Sequence, residues 1–144
     1  MIRLIPLFLL VACQHYKAVQ PDGFAAFKSS GEFRAASADG VIFRVREAKN
    51  KPEAELAFWK EALSNRMRDA GYTFLSDGEI KAAKDHPGYL IALSAPVGPV
   101  DYSYLVSVFV SGSQVVIAEA AGDVTKLEAH KAAILAAMSK LEID

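Results

Sequence analysis

Between Tyr102 and Ala120 the chain alternates almost without a break. Tyr102, Tyr104, Val106, Val108 and Val110 fall on one side, and Ser103, Leu105, Ser107, Phe109 and Ser111 on the other. Gly112-Ser113 then turns the run back into Val115-Val116-Ile117-Ala118-Glu119-Ala120. A period of two is that of a strand, and two such runs around a Gly-Ser pair form a hairpin. Both sides carry large apolar groups, so neither side can be left to water. The two strands must lie inside a sheet that is covered on both faces.

Two segments can supply the cover. Asn50-Lys51-Pro52-Glu53 has the form of a capping box, with Pro52 tolerated in the first turn, and predicts a helix over 53–70. Leu56, Trp59, Leu63, Met67 and Ala70 recur there at steps of three and four, while Glu55, Glu61, Asn65, Arg68 and Asp69 fall largely opposite. Arg66 and Arg68 suit the negative C-terminal end, and Gly71 is placed for a left-handed stop. Thr125-Lys126-Leu127-Glu128 is a second capping box, opening a helix whose apolar positions are Leu127, Ile134, Met138 and Leu141, with Ala133 and Ala137 allowing close approach to a sheet.

The remaining segments read as strands and turns. Asp39-Gly40 suits a two-residue hairpin turn between 32–36 and 41–46, with Val41, Phe43 and Val45 on the buried side and Ile42, Arg44 and Arg46 on the other; a strand over 24–27 precedes it. Another extended segment begins at 72–75. Ser76-Asp77-Gly78 and Asp85-His86-Pro87-Gly88 read as turns, the second with Pro and Gly in type II order, and 89–95 is a strand closed by Pro96 to Pro99. Strands, a helix, several antiparallel strands and a closing helix make an α+β fold, with helices packed on an antiparallel sheet.

Cys13 is the only cysteine in 144 residues. No disulfide can form, so a single domain must hold by core burial alone, which a chain of this length can manage. Without Arg3 the balance is 15 basic to 17 acidic residues. Such a balance is no footprint for nucleic acid, nor for electrostatic attraction to anionic lipid.

The first twelve residues form a separate unit: one positive charge at Arg3, an apolar run from Leu4 to Val11, and the ending Leu10-Val11-Ala12-Cys13. The run is too short for the ~20 apolar residues of a membrane-spanning helix. It resembles the lipobox of bacterial lipoprotein signal peptides. The resemblance implies cleavage after Ala12 and acylation of Cys13, whose chains would anchor the protein stably in a membrane. The alternative is an ordinary secretory signal with a cysteine at this place by chance. On the lipoprotein reading, 1–12 is the signal peptide, 13–23 a lipidated polar tether of up to about 35 Å, and 24–144 one α+β domain. Gln14 after the cysteine, rather than Asp, points to the periplasmic face of the outer membrane under the enteric sorting rule.

The early hairpin, Phe58-Trp59, Gly71-Tyr72, the meander from Gly88-Tyr89-Leu90-Ile91-Ala92-Leu93 to Val115-Val116-Ile117-Ala118-Glu119-Ala120-Ala121-Gly122 and the closing helix together resemble the Mog1/PsbP-like fold, a superfamily that includes small DcrB-like bacterial lipoproteins. The resemblance covers the chain from about Phe24 to its end. It implies an α/β/α sandwich with a central antiparallel sheet and two main helices, used chiefly for binding or assembly; function does not transfer with the fold.

Catalytic chemistry is thin. His15 falls in the tether, His86 in a Pro-Gly turn and His130 beside the apolar stripe of the last helix, none with a second ligand at metal-site spacing. There is no Gly-x-Ser-x-Gly elbow and no Gly-Lys-Ser phosphate loop. Glu119 lies in a strand and Asp85, Asp101 and Asp123 at element ends, where acids mark turns and caps. Neither an enzyme nor a cofactor is expected. Trp59 belongs to the core stripe more readily than to a partner site. Tyr102 and Tyr104, beside Asp101 at the mouth of a strand, are the candidates for partner binding, with packing beneath a helix as the competing reading. Two functions follow: a non-enzymatic module for an envelope protein partner, marked by a filled core and a flat aromatic patch, or a carrier with an apolar pocket lined by Phe74, Leu93 and Phe109.

Overall fold

The computed structural model describes residues 14–144, so Cys13 and the leader lie outside the described residues. The chain runs β1 (Tyr16–Lys17), β2 (Phe24–Phe27), β3 (Phe33–Ser37), β4 (Ile42–Lys49), α1 (Leu56–Asp69), β5 (Thr73–Ala82), a short 3-10 turn (Ala83–Asp85), β6 (His86–Val97), β7 (Val100–Ser111), β8 (Gln114–Asp123), α2 (Val124–Ser139) and β9 (Glu142–Ile143). Seven strands form one antiparallel sheet in the order β2-β3-β4-β8-β7-β6-β5, and β1 pairs with β9 in a separate two-stranded sheet. The fold is α+β, with the helices on opposite faces of the sheet.

β7 and β8 sit inside the sheet, as their two-sided apolar pattern requires. Leu105, Phe109, Val116, Ala118 and Ala120 meet Phe43, Val45, Leu127, Ile134 and Met138 in the core on the α2 side. Val106, Val108, Val115 and Ile117 join Ile91 and Leu93 on the α1 side. Ser107, fully buried, donates to the Ala118 carbonyl at 3.0 Å and so costs the interior no unsatisfied hydroxyl. Gly88 is fixed by close approach: a Cβ there would lie 2.4 Å from the Phe109 ring and 2.8 Å from the Val108 carbonyl oxygen.

The two helices are packed very differently. Leu127, Ile134 and Met138 of α2, and Leu141 just past the helix end at Ser139 rather than within it as its spacing suggests, are 0–2% exposed. On α1 the stripe Leu56, Trp59, Leu63 and Met67 faces the sheet as its spacing predicts, yet each is only half-buried, Ala70 is exposed, and the one buried residue of the helix is Ser64.

Several local expectations are corrected. The first hairpin has a three-residue loop, Ala38-Asp39-Gly40, because Ser37 still pairs with Val41; the Gly40 amide donates back to the Ser37 carbonyl, and φ there is +93°. α1 starts at Leu56, not 53. Asn50 caps no helix but is buried, accepting from the Ala54 amide and, at 2.7 Å, from Trp59 Nε1, while donating to the Gly112 carbonyl. The stop at Gly71 is as expected: its amide donates to the Arg68 carbonyl and that of Tyr72 to Met67, a Schellman pair. Asp123, not Thr125, caps α2, accepting from the amides of Thr125 and Lys126. Ser76-Asp77-Gly78 is no turn; β5 runs through it with a bulge at Leu75. The turn expected over 85–88 falls at 83–85, where Lys84 and Asp85 take positive φ, and His86, Pro87 and Gly88 already belong to β6.

The stretch 14–23 is not a free tether. Tyr16 is buried and donates its hydroxyl to the Val45 carbonyl at 2.9 Å, His15 binds Glu47 through both its amide and its ring, and Phe24 closes onto Pro21. An aromatic ring that fills a core position outweighs the polar composition around it.

Candidate functional site

The residues with titratable or nucleophilic chemistry are dispersed. His15 Nδ1 lies 3.2 Å from Glu47, and His86 Nε2 2.9 Å from the Val110 carbonyl oxygen. His130 Nε2 lies 2.9 Å from Asp39, with its ring edge-on to Phe24. Ser37 donates to the same Asp39 carboxylate at 2.5 Å, and this hydrogen bond, followed by that of His130, holds the Asp39 carboxyl below its ordinary value. The order of contacts is Ser-Asp-His. A hydrolytic triad needs the imidazole between acid and hydroxyl; here the acid lies between, and the Ser37 hydroxyl is engaged by the Val41 amide. Asp85 sits in the 83–85 turn and Asp123 caps α2. Asp101 is exposed on β7. Among the described residues no cluster of His, Cys, Asp or Glu has the makings of a metal site.

The structure instead singles out the α1 side of the sheet. One edge of α1 is clamped over β5 and β6: Lys60 Nζ lies 2.6 Å from Asp77 and 4.5 Å from the centre of the Tyr89 ring, and Arg68 stacks 4.7 Å over Phe74. The Asp77 contact raises the Lys60 pKa. At the opposite edge the tie is neutral: Trp59 Nε1 donates to Asn50 at 2.7 Å, and among the described residues no ion pair joins α1 to β4 or β8. Between this edge and β4, β7 and β8 runs a groove of about 370 Å³, floored by Val108, Val115 and Ile117 and roofed by Trp59, Leu63 and Met67. Arg46, Lys49 and Arg66 stand along it.

Beyond the groove, β3, β4 and the end of β8 present an uncovered face. Arg34, Ile42, Arg44, Tyr104, Glu119 and Ala121 surround a shallow hollow of about 140 Å³. Glu119 is the one buried acid of this face. Its Oε1 accepts from Arg44 and, at 3.2 Å, from Arg46, whereas Oε2 has no partner among the described residues. A buried carboxylate with two charge-assisted hydrogen bonds fixes both guanidinium groups against the sheet, with about a third of each side chain still exposed. Sequence reasoning missed this trio. Register places Arg44 opposite Glu119 across strands 75 residues apart, and no local pattern carries that information.

Tyr102 and Tyr104 share this face but not one environment. Tyr102 is 39% exposed, while Tyr104 is half-buried against Tyr72, ring centres 5.5 Å apart, and borders both the groove and the hollow. Ile42, 38% exposed, borders the hollow and lies in the row of Ala121 and Tyr104, while Tyr102 pairs with Asp123. Trp59 packs, half-buried, against the α1-side core as its stripe predicts and forms part of the groove roof, with Nε1 bound to Asn50. Phe74, Leu93 and Phe109 cannot line one pocket: Phe74 and Leu93 belong to the α1 side and Phe109 to the α2 side, with the sheet between them.

In sequence the chain matches no protein-family model and no curated protein. In structure it is similar to cyanobacterial PsbP (CyanoP) from Synechocystis, with 11% identity, a TM-score of 0.64 and coverage of 90% of this chain and 87% of that one. This chain has the Mog1/PsbP-like fold. LpqN of Mycobacterium tuberculosis, described as involved in cell envelope biogenesis, matches with a TM-score of 0.73 at 10% identity over 89% of this chain and 82% of that one. PA94 from Pseudomonas aeruginosa, a protein of unknown function, matches with 0.64 at 11% identity over 84% and 97%. At these identities the likeness establishes the fold alone. Among the described residues no helix is long and apolar enough to cross a membrane.

Proposed function

We propose that the protein is a membrane-anchored lipoprotein of the bacterial envelope, held at the periplasmic face of the outer membrane through acylated Cys13, and acts as a non-enzymatic binding or assembly module for a protein partner. One observation carries the partner reading. α1 lies over β5 to β7 and leaves the same face of β3 and β4 open, with Ile42 and two fixed arginines presented on it and Tyr102 exposed near the start of β7. Apolar and aromatic groups beside arginine are the composition of binding hot spots. The scattered histidines and acids support a role without catalysis, and LpqN lends the envelope setting plausibility through a shared fold.

Anchoring has a geometric consequence. His15, Tyr16 and Lys17 are tied to β4 and β9, so a lipidated Cys13 would be separated from the domain by Gln14 alone. At no more than ~3.5 Å per residue the domain would sit against the headgroups rather than on a long tether.

Two experiments test the proposal. Metabolic labelling with a fatty-acid analogue should mark the wild type and not Cys13→Ser; equal labelling of both ends the lipoprotein reading. In a deletion strain at matched expression, Ile42→Asp with Tyr102→Ala should fail to complement while melting like the wild type, and His130→Ala should complement. The reverse outcome would demand a histidine-centred site.

A further inference from the structure

The loose seating of α1 has a chemical counterpart. A helix that covers a sheet for stability alone buries its stripe, as α2 does with residues 0–2% exposed. α1 leaves Trp59, Leu63 and Met67 half-buried over a groove of about 370 Å³, a volume within the ~300–1,000 Å³ range of small-molecule sites. The wall facing β4 is positively charged. Lys49 and Arg66 form no ion pair among the described residues, and Arg46 spends only its Nε on Glu119. Three cations along an apolar slot, with no acid lining it, match a ligand that has an apolar chain and an anionic head.

We propose that the groove between α1 and strands β4, β7 and β8 binds the chain of a single-tailed anionic amphiphile. Its tail lies on Val108, Val115 and Ile117 beneath Trp59, Leu63 and Met67, and its carboxylate or phosphate head lies against Arg46, Lys49 and Arg66. This site meets the partner face at Arg46, which borders both, but its readout is ligand binding at Trp59 and not complementation, so the two readings are tested apart.

Trp59 is the only tryptophan of the chain and forms part of the groove roof, which makes the test direct. The full chain carrying Cys13→Ser, so that no acyl group of its own competes, is titrated below micellar concentration with bromine-labelled alkyl carboxylate, alkyl phosphate and alkyl alcohol of equal length. Saturable quenching of Trp59 by one or both anionic probes is expected, and the tighter head distinguishes a fatty acid from a phosphate ester. The alcohol should bind at least about tenfold more weakly, the scale of one charge-assisted hydrogen bond. Arg66→Gln should weaken the anionic probes about tenfold while leaving the alcohol's affinity and the melt unchanged. Ala62→Phe, which fills the groove from α1, should abolish quenching by all three. Non-saturating quenching, equal affinity for the alcohol, or indifference to both substitutions overturns the proposal; none of these outcomes touches complementation by the Ile42 and Tyr102 variant.

Discussion

Truncating one leucine on α1 and one isoleucine on α2 separates the two helices energetically. Read from its stripe alone, Leu63→Ala removes a core leucine and costs about 2–5 kcal/mol. Its position lowers that figure for two reasons. Leu63 is half-buried, so roughly half of the ~1.5–3 kcal/mol transfer free energy of a buried aliphatic side chain is at stake. Leu63 also borders an open groove, so its truncation widens a space water already reaches and encloses no new cavity. We expect about 1 kcal/mol. Ile134 is fully buried among Phe43, Val116 and Met138, so Ile134→Ala adds a closed cavity to the full transfer cost, about 3 kcal/mol or more. Urea melts of both variants and the wild type, with equal slopes, give the two differences directly. Equal costs would refute the reasoning, because they would mean that α1 is seated as tightly as α2 and that the groove is closed.

Gly88→Ala should destabilise by about 1–3 kcal/mol, because the new methyl meets both the Phe109 ring and the Val108 carbonyl, and only the ring can yield. Adding Phe109→Leu should recover part of that loss in the same melt; no recovery would place the strain in the backbone. Asp39 supplies a pH signature. Its carboxyl is held below the ordinary value by Ser37 and then His130, so the stability it contributes is present above the unfolded carboxylate pKa and is lost as pH falls through the lower folded value. The melting temperature of the wild type should therefore exceed that of Asp39→Asn at pH 7 and converge on it below the ordinary carboxylate range; a gap that persists in acid would contradict the assignment.

The fold was legible where pattern and packing coincide. The alternation from Tyr102 to Ala120 specified two interior strands, and Val41, Phe43 and Val45 specified the buried side of β4, because a strand's faces are set by period alone. Turn chemistry misled where an edge strand tolerates polar residues. Ser76-Asp77-Gly78 lies in β5 at the sheet's margin, where Asp77 serves as partner to Lys60. Non-glycine residues at positive φ, Lys84 and Asp85, took a turn that His86-Pro87-Gly88 advertised. Tyr16 looked like one aromatic in a polar tether, and only the core reveals the position it fills. The candidate site was less legible. A periodic stripe gives the direction in which Trp59, Leu63 and Met67 point but not how far α1 stands from the sheet, and the Arg44-Arg46-Glu119 trio depends on register between distant strands.

The most direct measurement of the partner reading is a photocrosslinking scan in intact cells expressing the full chain. A photoreactive amino acid is placed at Ile42 or Tyr102 on the open face of the sheet, and at Glu128 or Lys131 on the outer surface of α2, on the opposite side of the domain. The account predicts that positions 42 and 102 crosslink to the same envelope protein and that 128 and 131 do not. Crosslinks of equal strength from both sides, or from α2 alone, would contradict it.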